Sequence, residues 1–201
     1  MSVSRHFIFL EFLDPKVCSL LTNLRNALHG AIQRDPVHVT VRGPYKDIPR
    51  KEFLETKANV IADDFVFLAE IGMFETRKGY AVFLNAQSRI FNAVWWKPDF
   101  KAQEKMPHVT LFETESHHEA IAVRDFLKSE GIEIVTSAID LTVYTSKQSP
   151  LFNNPQASLG EDIKASTDRL LYKPGVIDRA IILRRQLNAP EYSRGLQLAL
   201  V

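Results

Sequence analysis

Residues 37–45 read VHVTVRGPY and residues 107–112 read PHVTLF. In both stretches a histidine and a threonine stand two positions apart, His38 with Thr40 and His108 with Thr110, and apolar residues fill the alternate positions. Side chains two apart on a strand share a face. Each stretch therefore predicts a short strand that buries Val39 and Val41, or Val109 and Leu111, and offers an imidazole and a hydroxyl together on its other side.

The surroundings of the two stretches are alike. Before the first, residues 5–13, with Phe7 and Phe9, predict a largely buried strand, and Asp14-Pro15 is a cap and first-turn pair for a helix. Val17, Leu20, Leu21, Leu24 and Leu28 recur every three or four positions and put that helix's apolar face in the core up to Gly30. After the motif, Gly43-Pro44 signals a turn, residues 49–62 a helix and residues 64–74 a strand. The order restarts at Gly79 with a strand over 80–85, a helix over 88–96 and the second motif strand over 107–112. Ser116 followed by Glu119 is a capping box before Ala120, Val123, Phe126 and Leu127, and residues 132–145 read as one long strand. Half-repeats at 5–74 and 79–145 thus each give β-α-β-α-β, and the expected fold is α+β. It is a single bilobal domain of two pseudo-symmetric lobes, each with a mainly antiparallel sheet and two helices, around a central cleft. Residues 146–175 predict a long connecting loop, and residues 176–188, with their apolar centre at 180–187, a closing strand.

Bulk composition narrows the function classes. With 201 residues and 45% apolar content the chain can bury a real core. Twenty-five basic and twenty-four acidic side chains leave a net charge of +1, which argues against a field that grips long duplex nucleic acid and leaves small or terminal phosphate substrates. Cys18, the sole cysteine, excludes a disulfide within the chain, and the short apolar run near the start is interrupted by Glu11. A reducing, cytoplasmic setting without a membrane anchor is the expectation. Nothing in the composition fixes an oligomeric state.

The paired motifs carry the chemistry. If the motif strands face one cleft, a phosphate between them meets two imidazoles and two hydroxyls. Phosphodiester cleavage needs a base for the attacking water and an acid for the departing oxygen, and histidine serves either near neutral pH. Thr40 and Thr110 are suited to donate hydrogen bonds to nonbridging phosphate oxygens. Neither a metal nor a cofactor is called for.

HVTVRGPY and PHVTLF resemble the paired signatures of the two-histidine phosphoesterase superfamily, which includes the 2′,5′ RNA ligase-like proteins and the 2′,3′-cyclic phosphodiesterases. The four motif positions match that pattern without substitution. The resemblance implies a bilobal fold with a water-filled cleft and metal-independent chemistry at 2′,3′-cyclic phosphates or related linkages. The expected activity is hydrolysis of such a phosphate on a nucleotide or RNA end, with catalysis by His38 and His108 and phosphate binding by Thr40 and Thr110. Cleavage or joining of 2′,5′-linked nucleotides, or opening of another cyclic nucleotide, would use similar chemistry. A module that only binds RNA ends is the non-enzymatic alternative.

Other residues divide between ordinary and functional roles. Arg42 continues the polar face of its strand toward a phosphate, Phe112 holds the matching position after Thr110, and Tyr45 follows the turn, so these are secondary candidates for substrate contact. Solvation, core packing and turn filling are their ordinary roles. Trp95-Trp96 reads as helix packing, His117-His118 as a solvated helix start, and His6 and His29 as packing or surface residues.

Overall fold

In the computed structural model, residues 5–61, 64–91, 106–146 and 167–189 are described. Among them are eight strands and four helices: β1 (Arg5–Phe12), α1 (Pro15–His29), β2 (His38–Tyr45), α2 (Lys51–Ile61), β3 (Val66–Thr76), β4 (Gly79–Gln87), β5 (His108–Thr114), α3 (His117–Glu130), β6 (Glu133–Thr136), β7 (Ile139–Ser146), β8 (Thr167–Leu171) and α4 (Val176–Leu187). The strands form one sheet in the order β7-β1-β2-β5-β4-β3-β6-β8, every neighbouring pair antiparallel. The class is α+β.

Local chemistry sets the helix ends. Asp14 accepts from the amides of Lys16 and Val17 to start α1, and Gly30 ends it at a φ of 67°. Ser116 accepts from the Glu119 amide at the start of α3. Both are the caps that the sequence predicts. Leu21, Leu24, Leu28, Val123 and Leu127 are buried in the core with the inward residues of the sheet, including Val39, Val41, Val109 and Leu111.

Several expectations are corrected. The chain does not turn at Gly43-Pro44; β2 runs on to Tyr45 through a cis peptide there. At Gly43, φ is 118° and a Cβ would lie 2.8 Å from the His6 carbonyl oxygen, so the glycine is what permits this close passage beside β1. The long strand expected at 132–145 breaks at Ser137-Ala138 into β6 and β7, which sit on opposite sides of the sheet beside β3 and β1. Within the expected loop at 146–175, Thr167–Leu171 is an edge strand on β6, tied by Arg169 to Glu133 at 3.2 Å. The expected closing strand at 176–188 is the helix α4: Val176, Ala180 and Leu187 share its buried side while Ile182 of the Ile-Ile-Leu run is exposed. A continuous apolar run does not by itself distinguish strand from helix. Beyond Phe91, the helix expected over 88–96, with Trp95-Trp96, lies outside the described residues.

The two halves of the chain exchange strands. β3 of the first half pairs with β4 of the second, and β7 of the second pairs with β1 of the first. The two motif strands, β2 and β5, lie side by side in the middle of the sheet.

Candidate active site

β2 and β5 meet through one register pair, Val39 opposite Val109. In an antiparallel ladder that register sets His38 beside Thr110 and Thr40 beside His108 on the face away from the buried valines. Beyond this pair the ladder does not continue, and a cavity of about 210 Å³ opens there, lined by His38, Thr40, His108 and Thr110 with Arg25, His29, Gln33, Asp35 and Glu113. The four motif residues named by the sequence therefore share one cavity. It is smaller than two apolar grooves that flank α4, of about 560 and 540 Å³, but these hold none of the motif residues.

Both rings are held alike. His38 Nδ1 lies 2.8 Å from the Pro36 carbonyl oxygen and His108 Nδ1 2.6 Å from that of Met106, in each case two residues upstream. A carbonyl only accepts, so Nδ1 carries the hydrogen and Nε2 is left for the cavity. Phe9 of β1 stacks on His38 with ring centroids 3.5 Å apart and planes 12° apart, and Phe83 of β4 lies 4.9 Å from His108 at 49°. Phe9 is opposite Thr40 and Phe83 opposite Thr110. Each ladder then shifts register by one residue at the same place, Ile8 pairing with Arg42 and Val82 with Phe112. These bulges turn the residues after the threonines out of alternation with the motif.

The electrostatics differ between the rings. Burial holds His38 below the usual histidine range, opposed by its bond to the Pro36 carbonyl and lowered further by the Arg25 cation. Burial lowers His108 as well, opposed by its bond to Met106 and by the Glu113 carboxylate. Burial, with Arg25 and then Arg184, brings His29 down to about 4, so this third imidazole in the cavity is neutral at ordinary pH.

The secondary candidates lie elsewhere. Arg42 sits over the Tyr45 ring at 5.8 Å, and neither lines the cavity. Phe112 is 1% exposed, between His29 at 5.0 Å and the Arg184 guanidinium at 5.8 Å, so it packs behind the wall and is not presented to a ligand. Among the described residues, no three or more His, Cys, Asp or Glu side chains are placed so that they could hold a metal ion together.

Sequence reasoning missed Phe9, Phe83, Arg25, His29, Asp35 and Glu113. The first two had a signal: Ile8-Phe9-Leu10-Glu11 and Val82-Phe83-Leu84-Asn85 repeat the order apolar, Phe, Leu, polar on the strand that flanks each motif. Arg25 and His29 stand four apart on α1, beside its apolar stripe, a spacing that marks one helix face but not what the face meets.

No protein-family model matches this chain, and no curated protein matches it with significance.

Proposed function

We propose that the protein is a phosphoesterase that hydrolyses a 2′,3′-cyclic phosphate on a nucleotide or RNA end, using His38 and His108 for the two proton transfers. The observation that carries this reading is the convergence of both His-x-Thr pairs on one cavity, each imidazole with Nδ1 engaged by a carbonyl and Nε2 uncommitted to it. One ring takes a proton from water as its oxygen bonds to phosphorus, and the other protonates the ribose oxygen as its bond to phosphorus breaks. The threonine hydroxyls donate to the nonbridging oxygens, whose charge rises at the five-coordinate stage.

Matched registers, bulges and ring supports around the two motifs favour an internal repeat, and with it the bilobal, pseudo-symmetric arrangement typical of the two-histidine phosphoesterases. A cavity near 210 Å³ suits one phosphate and its ribose better than a length of duplex. Among the described residues no helix is long and apolar enough to cross a membrane.

The test is product analysis after incubation with a panel of 2′,3′-cyclic nucleotides and 2′,5′-linked dinucleotides, comparing wild type with His38→Ala and His108→Ala. Opening of a cyclic phosphate that both substitutions abolish is the expected result. Undiminished turnover in both variants would remove the histidines from the mechanism, and affinity without product would favour a binding module.

A further inference from the structure

Arg25 is 9% exposed on α1 and reaches across to the segment before β2. Its Nη1 donates to the Pro36 carbonyl oxygen at 3.4 Å, the same oxygen that receives His38 Nδ1, and its Nη2 donates to the Asp35 carbonyl. The Nε is buried and meets no acceptor among the described residues. The support of His108 differs: Met106 supplies the carbonyl, and the charged residue of the cavity that acts on this ring is Glu113, on the same strand.

Resting on the function proposed above, we propose that Arg25 is a positioning residue that makes the two histidines unequal, dedicating His38 to the base role and leaving His108, beside Glu113, as the acid. A fixed cation next to His38 disfavours a second positive charge on that ring, so it waits neutral and able to accept a proton. Glu113, which lines the same cavity, opposes the lowering of His108 by burial and so favours its imidazolium more than any carboxylate left free beside His38 does, which suits His108 to give a proton. The other ionisable groups around His38 and Arg25 are Asp35, Glu11, His29, His108 and, acting on Arg25 as well as on His108, Glu113. Asp35 opposes Arg25 but is engaged by the Tyr144 hydroxyl at 2.9 Å, Glu11 on β1 accepts from Thr142, His29 is neutral, and a protonated His108 adds to the effect of Arg25.

The step balances as a hydrolysis. His38 Nε2 takes one proton from water as the new P–O bond forms, and His108 Nε2 gives one proton to the ribose oxygen as the old P–O bond breaks. One water is consumed, and proton exchange with solvent resets both rings.

Two readouts separate this assignment from the opposite one. The first replaces the leaving bridging oxygen of a 2′,3′-cyclic mononucleotide by sulfur, at whichever ribose position wild-type product analysis shows to be cleaved, because a thiolate departs without a proton. His108→Ala is expected to recover by about a hundredfold or more on the sulfur substrate, the scale of general acid catalysis, and His38→Ala is expected not to recover. The second is the pH dependence of kcat/KM together with NMR titration of the histidine rings, the latter independent of turnover. Arg25→Gln is expected to move the acidic limb and the His38 titration to higher pH while the alkaline limb stays, and Arg25→Lys to restore the wild-type profile. Recovery of His38→Ala in place of His108→Ala, recovery of neither, or an unmoved His38 titration in folded Arg25→Gln would overturn the assignment. Full activity of both alanine variants on the ordinary cyclic nucleotide would instead overturn the function on which it rests.

Discussion

The β1–β2 and β4–β5 ladders hold their motif residues in one way and set them among two different groups of charged neighbours. Phe9 faces Thr40 as Phe83 faces Thr110, the register slips after each threonine, and each imidazole bonds to a carbonyl two residues upstream. Around those shared backbones, α1 and the chain before β2 set Arg25 and Asp35 beside one ring, while β5 itself sets Glu113 beside the other. Strand register fixes where a functional group points, and the charged neighbours around it, from the same strand or another element, bias how readily it holds a proton. Two ladders of matched register can therefore hold similar groups in different electrostatic surroundings.

The largest effect tests the shared part. His38→Ala and His108→Ala are each expected to lower kcat on a 2′,3′-cyclic nucleotide by about 10² to 10⁴, the contribution of one positioned acid or base. Next come Thr40→Val and Thr110→Val, which keep the branched shape and remove the hydroxyl. A fall in kcat of about a hundredfold is expected for each, in line with loss of one donor to developing charge. Because each threonine lies beside the other strand's histidine in the register through Val39 and Val109, the two losses should be similar. A large loss in one and none in the other, measured by steady-state kinetics, would break the equivalence of the two threonine positions.

The ring supports test where the equivalence stops. Phe9, itself stacked by Tyr144 at 4.8 Å, lies nearly parallel to His38 at 3.5 Å, whereas His108 is met by two rings, Phe83 tilted at 4.9 Å and Phe74 edge-on at 5.2 Å. Phe9→Leu removes a stacked contact worth roughly 0.5–1.5 kcal/mol beyond its buried area. Urea unfolding should show this variant losing at least that much stability, with a fall in kcat, while Phe83→Leu, which leaves Phe74 against the ring, perturbs His108 less. Equal kinetic losses would show that stacking geometry does not matter to the ring.

How much of this was legible in the sequence follows from the range of each interaction. The caps at Asp14, Gly30 and Ser116 and the alternation through both motifs are local, and β1, α1 and α3 follow from them. The motif residues were legible because period-two patterning puts His and Thr on one face wherever the strand is placed. The exchange of β3 and β7 was not, since strand pairing depends on partners dozens of residues away. Arg25 and His29 were hidden for a related reason, being polar positions beside a helix stripe whose meaning depends on what packs across from them. Ile181-Ile182-Leu183 misled because apolar density without a clear period suits either element, and there α4 leaves Ile182 exposed.

His29 gives the smallest expected effect and reports on the cavity through stability alone. It ionises near 6.5 when unhindered and near 4 in the folded protein, so between those values the unfolded chain binds more protons than the folded one. Folding stability must then rise with pH across that window, being fully present above about 6.5 and lost as pH falls toward and through about 4. His38 and His108, also lowered, contribute with the same sign. His29→Gln replaces the titrating ring with a neutral polar group, so its melting temperature should fall less steeply from pH 7 to pH 4 than that of wild type, with the share due to the motif pair remaining. The difference should be modest because the ring retains partial contact with solvent, which screens the Arg25 and Arg184 cations. An unchanged slope would mean that His29 titrates as it does in the unfolded chain and does not sit neutral between those two arginines.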